Sequence, residues 1–453
     1  MRIRLLIAGI GLAWACASTP VAAAEPSDQG GQETPAADTD ADPWPSWLET
    51  GGDLRLRVKR ELARRLDKDE ANQDRLWQRY RARLWAKVAP HEDLEFNVRV
   101  LTEPRYYCRR DDLEHPLIRE EGLFDQAYVK WKDAFGLPLT LTIGRQDLGL
   151  GSTWLIREGT PMDGSRTSFF DAIRLTCEIE SIDTTADLVW IDNHANSSEW
   201  VRPFNDRDVD LIEQDEQGVI LYLSNRSIKD TRIDGYFIYK RDHNPASPLR
   251  GRTGDVYTFG LFIEGKIDSH WDYRTEFAPQ FARRNGKDVF AFGTDSTVTY
   301  HFRDPMRNRI GFGYEYLSGD DDPDRYFDRV WGREGQWSDL YEGAIDGLDG
   351  REFDAANLHR PKVHWQFNPV ESVTVSAEYA LVFAEENTQA AGTRGLSRSG
   401  LFRGQHFKTN VAHRISKHVS HRFTGQAFFP GDFYTDQRND VAVFLRYEIV
   451  FTW

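Results

Sequence analysis

The chain has 453 residues, 40% hydrophobic and 28% charged, with a formal net charge of -15 and a mean hydropathy of -0.60. Beyond the first two dozen residues there is no uncharged run of the roughly 20 residues that a spanning helix needs, so a helical membrane protein is excluded. A transmembrane β-barrel is not excluded, because only alternate residues of its strands meet lipid.

Residues 1–24 read as a secretory signal. Arg2 and Arg4 form the basic start, Leu5 to Ala15 the apolar stretch, and Ala22-Ala23-Ala24 the small-residue cleavage site. Residues 25–46 form a leader whose first part, Glu25 to Pro43, carries six acids and no base and reads as disordered. Removing Arg2 and Arg4 takes the net charge from -15 to -17, of which the leader holds -6. Cys108 and Cys177 then remain, one in a loop and one in a strand, with neither a metal-site spacing nor the setting of a structural disulfide.

Residues 47–453 repeat a period of two. Strands are predicted to start at Asp53, Arg75, Asp93, Gly122, Pro138, Phe170, Thr184, Gln217, Arg232 and Asp255, and then at His270, Val289, Arg307, Ala356, Glu371, Arg403, Val419 and Val441. That makes about 18, an even number, as single-chain bacterial barrels have. Short turns such as Ala89-Pro90-His91-Glu92 and Ser416-Lys417-His418 alternate with longer segments such as Leu148 to Phe169 and Gly319 to Asp354. Periplasmic turns and outer loops produce that alternation. The fold class is therefore all-β, an antiparallel up-and-down transmembrane barrel in the outer membrane, with the long segments partly ordered or folded over its mouth.

The last strand shows the pattern most plainly. Val441, Val443, Leu445, Tyr447, Ile449, Phe451 and Trp453 make one apolar face, while Arg446 and Glu448 lie on the other. In the second strand Arg75, Arg79, Arg81 and Arg83 share one face. At the bilayer midplane each would cost about 2–4 kcal/mol, so that face must be the lumen. Arg55 and Arg57 in the strand before it and Arg99 in the strand after it extend a basic patch, and Arg174, Arg274 and Arg446 are lumen-facing by the same alternation. Guanidinium groups keep their charge and bind carboxylates in pairs, which makes an electropositive path for anions. The plainer reading is a wall of internal ion pairs, since Glu276, Glu315, Glu378 and Glu448 share the lumen.

Four stretches resemble the alginate-export family of outer-membrane barrels: Leu141 to Gln146, Ser168 to Leu175, Tyr314 to Pro323 and Phe428 to Phe433. The resemblance covers most of the mature chain. It implies an 18-stranded monomer with an arginine-lined lumen, and it places Arg145 and Arg174 near the constriction. Alternation alone turns Arg145 to the side of Leu141 and Ile143, unless a bulge at Gly144 re-aims it. Where the family often has an acidic pair, this chain has Gly404-Gln405-His406-Phe407-Lys408, which adds positive charge.

The remaining constellations are weaker. Asp320, Asp322 and Asp324 offer oxygen ligands for a structural Ca²⁺, but their spacing is not that of an EF-hand loop and a solvated acidic loop is the plainer reading. His413, His418 and His421 straddle a turn, and alternation is expected to separate their faces. No catalytic triad order, phosphate-binding loop or nucleic-acid module appears, so no enzyme activity and no cofactor are expected. The expected function is passive passage of an anionic polysaccharide, as in alginate export, with outer-membrane lipid around the barrel and periplasmic export components as partners. The alternative is a selective porin importing small anions or oligosaccharides.

Overall fold

The computed structural model describes residues 45–67, 74–109, 117–118, 122–157, 169–196, 203–204, 212–245, 253–332, 337–349, 356–388 and 395–453. The expected signal sequence and residues 25–44 of the leader lie outside them.

The strands in chain order are β1 (Leu48–Leu62), β2 (Arg75–His91), β3 (Leu94–Thr102), β4 (Arg105–Arg109), β5 (Leu117–Ile118), β6 (Gly122–Trp131), β7 (Leu139–Gln146), β8 (Phe170–Ile179), β9 (Thr184–Asn193) and β10 (Asp215–Asn225). They continue as β11 (Thr231–His243), β12 (Gly254–Lys266), β13 (Trp271–Arg284), β14 (Lys287–His301), β15 (Arg309–Leu317), β16 (Leu358–Val370), β17 (Val373–Phe383), β18 (Phe402–Arg414), β19 (Val419–Pro430) and β20 (Ala442–Thr452). The short piece β4 pairs with β2 at its outer end, and β5 pairs in turn with β4. The other strands form a closed, 18-stranded antiparallel barrel. It is sealed where β1 pairs with β20, from Asp53 opposite Thr452 to Leu62 opposite Val443. Every predicted start lies within a few residues of an observed one, and the largest offset is Leu48 against Asp53. One outer connection departs from the long-loop rule. β13 and β14 join through Asn285-Gly286, both with positive φ (48° and 80°), as a tight hairpin requires.

Alternation sets the two faces. Val441 just before β20 and Leu445 and Tyr447 within it are exposed outward, whereas Ala442, Phe444, Arg446 and Glu448 are buried. Leu188, Trp190, Phe259, Leu261, Phe277 and Phe312 carry the same apolar exposure around the outside. In an aqueous protein such a surface would be an association patch; around a barrel it is the lipid belt.

Among the described residues, folded loop segments occupy part of the lumen. Leu148, Trp154, Leu155, Ile156, Tyr326, Phe327, Trp331, Trp337 and Tyr341 come from two outer loops and join lumen-facing Phe170, Ile191, Ile220, Ala278 and Phe444 in one buried apolar cluster. The loops clip to each other by backbone bonds, Trp331 N to Leu155 O at 3.0 Å and Arg157 N to Trp331 O at 3.2 Å. Both segments thus descend into the barrel rather than only covering its mouth.

Gly144 shows how one residue shapes the wall. Its φ is +121°, and a Cβ there would lie 2.3 Å from the carbonyl oxygen of Ala127. Gly144→Ala is expected to cost about 1–3 kcal/mol, read as a lower urea midpoint for unfolding in detergent. An unchanged midpoint would show that the backbone there relaxes freely.

Candidate functional site

The basic patch forms on β20, β1, β2 and β3. Register places Asp53 opposite Arg83, Arg55 opposite Arg81 and Arg57 opposite Arg79, with Lys59 opposite Arg446 and Arg57 opposite Glu448 on the other side. Like charges facing each other across strands repel, and carboxylates relieve each row. Glu103 holds Arg55 (3.0 Å) and Arg79 (2.6 Å), Asp53 holds Arg81 (3.1 Å) and Arg83 (2.6 Å), and Glu448 holds Arg57 (2.7 Å). Asp125 and Asp147 share Arg99, and Asp339 from the longer outer loop holds Lys59 (3.2 Å) and Arg446 (3.0 Å).

Among the described residues the group therefore sets nine cations (Arg55, Arg57, Lys59, Arg79, Arg81, Arg83, Arg99, Arg422, Arg446) against six carboxylates (Asp53, Glu103, Asp125, Asp147, Asp339, Glu448), an excess of three positive charges. Most of the arginines are paired, and the wall stays net basic. Arg81 reaches Asp53 through Nη2, while its Nε and Nη1 have no hydrogen-bond acceptor among the described residues.

Further round the barrel lies a cavity of about 420 Å³ between the strands β13 to β18 and the loops. Five cations line it (Arg157, Arg274, Arg360, Lys362 and Lys408), along with three acids (Asp295, Glu315 and Glu378) and the indoles of Trp154 and Trp337. Arg360 bonds Glu315 (2.8 Å) and Glu378 (2.9 Å), and Asp295 takes Lys362 (2.9 Å) and Arg274 (2.6 Å). The loop is fixed in place from within. Glu342 accepts from Trp337 N and Ser338 N (both 3.0 Å) and pairs with Arg329 at 2.6 Å. Burial works against the charge on Arg329, but the adjoining Glu342 carboxylate holds its pKa above the ordinary value.

Other predicted residues lie apart from these two groups. Arg75 is half-buried at the outer end of β2, opposite Glu61. Arg145 is buried and bidentate to Asp171 (2.8 Å for both bonds), donates to Phe124 O (3.1 Å) and stacks on Phe169 at 3.6 Å, so its hydrogen bonds stay within the barrel. Arg174 bonds Asp187 at 2.8 Å. Glu276 is buried and accepts from Tyr236 (2.8 Å) and from Ser152 of the shorter loop. Sequence reasoning missed Arg360 and Lys362. Their signal was present in the alternation Leu358, Arg360, Lys362, His364, but only the arginine-dense first strands were followed.

Two expectations need correction or qualification. His413 and His421 are not separated; they lie directly opposite in the β18–β19 register, with Nδ1 and Nε2 3.0 Å apart. His418 instead contacts Thr452 O. For Asp320, Asp322 and Asp324, Lys287 Nζ already sits 2.6 Å from Asp322 and 2.9 Å from Asp324, and Arg325 lies 3.8 Å from Asp320. Millimolar Ca²⁺ is accordingly expected to leave the melting temperature unchanged in the native protein, and to raise it in Lys287→Ala, where the internal cation is gone. A Ca²⁺-dependent rise in the native protein would restore the metal reading. Cys108 and Cys177 are both free.

Solved structures share the architecture. OccAB2 of Acinetobacter baumannii superposes with a TM-score of 0.58 at 13% identity, over 89% of this chain and 98% of that one. OccK7 (OpdD) of Pseudomonas aeruginosa gives 0.57 at 10% identity, over 90% and 99%, and OccK5 (OpdH) of the same organism 0.56 at 11%, over 89% and 98%. These are outer-membrane porins, and at such identity the likeness is one of fold. No curated protein matches the chain significantly. The family described as alginate export matches residues 46–447. With that match over nearly the whole barrel, the chain belongs to the alginate-export family and is an outer-membrane channel-type β-barrel.

Proposed function

We propose that this channel passes anionic saccharides passively, with an alginate-like polyuronate on its way out as the leading cargo. The observation that carries the reading is the basic wall, with three positive charges beyond its carboxylates among the described residues and with two buried Arg81 donors that have no acceptor among them. Several moderate contacts of this kind concentrate a carboxylated chain without fixing it in place. An exporter of this kind is a monomer in outer-membrane lipid, supplied by periplasmic components. A non-catalytic role fits the same geometry, since Glu315 and Glu378 both hold Arg360 and so are not poised as an acid–base pair.

A second reading, import of small anions or oligosaccharides, is favoured by the 420 Å³ cavity beneath the folded loops. That volume falls among small-molecule pockets. Planar-bilayer conductance, with reversal potential in a salt gradient and added polyuronate or triuronate, tests both. Anion selectivity with polyuronate block supports the first, and block by short uronates alone supports the second. Cation selectivity with no uronate block would sink both.

A further inference from the structure

The segment from Trp337 to Tyr341 crosses between the two basic groups, and its contacts are those an acidic solute would make. Asp339 presents one carboxylate oxygen to Lys59 Nζ at 3.2 Å and the other to Arg446 Nη1 at 3.0 Å. Two residues earlier, the carbonyl of Trp337 accepts from Lys408 Nζ at 2.9 Å, and the Arg360 guanidinium lies 4.3 Å over the Trp337 ring. Between them Ser338 Oγ and Leu340 N donate to Gln426 Oε1, at 2.7 and 3.3 Å. The cations belong to β1, β20, β16 and β18, whereas the strap comes from the loop after β15. Trp337, Leu340 and Tyr341 seat it in the buried apolar cluster, while the acceptor positions at Asp339 and at the Trp337 carbonyl are ones that another carboxylate could take.

We propose that this strap is a tethered stand-in for the solute, with Asp339 setting which anions open the lumen. A solute enters by taking Lys59 and Arg446 from Asp339. A monocarboxylate competes with a ligand held at high effective concentration and loses. A chain bearing several carboxylates engages both basic groups at once and wins by multivalency. Asp339 is thus a specificity-determining residue that discriminates by the number of carboxylates on the solute. The idea rests on the anionic-saccharide reading above.

The test compares the native protein with Asp339→Asn in planar bilayers, using KCl alone and then monouronate and triuronate. Neutralising the stand-in removes its share of the closed population, so KCl conductance is expected to rise. The half-blocking concentration of both uronates should fall by about tenfold, and more steeply for the monomer. Conductance and half-blocking concentrations equal to those of the native protein would overturn the inference while leaving the function reading intact. If no uronate blocks either protein, the function reading fails, and the KCl conductance alone decides: a rise upholds the strap as a carboxylate-held closure, and no rise overturns it. Because the substitution leaves Lys59 and Arg446 without that carboxylate, a second measurement uses the unaltered chain. Hydrogen exchange across Trp337–Tyr341 should speed up at a blocking concentration of triuronate; unchanged or slowed exchange there would overturn displacement of the strap.

Discussion

Exchanging Arg79, Arg81 and Arg83 together for Gln is expected to abolish the lumen's preference for anions. The described residues of the wall set nine cations against six carboxylates, and the triple variant sets six against the same six, so the excess falls from +3 to zero. Asp53 loses its ion pairs with Arg81 and Arg83, and Glu103 keeps its pair with Arg55. Polyuronate block should weaken by about a hundredfold, since each lost charged hydrogen bond accounts for about 1.5–3 kcal/mol at most and some of that returns as solvation. A companion carrying Asp53→Asn and Glu103→Gln as well has six cations against four carboxylates, and its anion preference should partly return. Reversal potentials in a salt gradient read both. An unchanged reversal potential in the triple variant would show that the selectivity is set elsewhere, most directly by the Arg360 group.

The strands and their facing were legible because a lipid-facing residue and a lumen-facing residue obey different solvents, and that contrast is written at every second position. Arg79 and Arg81 could be assigned to the lumen before any coordinates, and both are buried there. Their partners were less legible. Glu103 follows β3 beside Pro104, and Asp339 lies in a loop with no periodicity, so nothing in their spacing tied them to arginines dozens to hundreds of residues away. Arg145 was ambiguous for a backbone reason. The +121° φ at Gly144 is a conformation other residues rarely adopt, and period-two counting does not survive such a position. The His413–His421 contact could have been read from sequence, because the short Ser416-Lys417-His418 turn fixes the register that brings them together.

Trp331→Ala should release the loops while leaving the barrel intact. The Trp331 side chain is fully buried, donates from Nε1 to Glu216 at 2.9 Å, and meets the Phe170 ring edge-on at 6.1 Å. Its ring also fills the space over Gly218, where a Cβ would come within 2.5 Å of it. Its backbone is the point at which the two loops clip together. Truncating a buried Trp costs about 3–5 kcal/mol, and here the loss falls on a locally folded loop rather than on the closed ladder of strands. Segments open at the free energy of their own contacts, so the loops should detach well below the temperature at which the barrel unfolds. The expected result is conductance raised several-fold, new protease cleavage within residues 318–332, and heat-modifiable gel migration like that of the native protein. Trp190→Ala, which removes an exposed lipid-facing ring, should change none of the first two. Native conductance with full protease resistance in Trp331→Ala would mean that the polar contacts of Asp339 and Glu342 suffice to seat the loop. If the released barrel carries polyuronate where the native one carries only short uronates, the wall is suited to the polymer and the folded loops set the length limit.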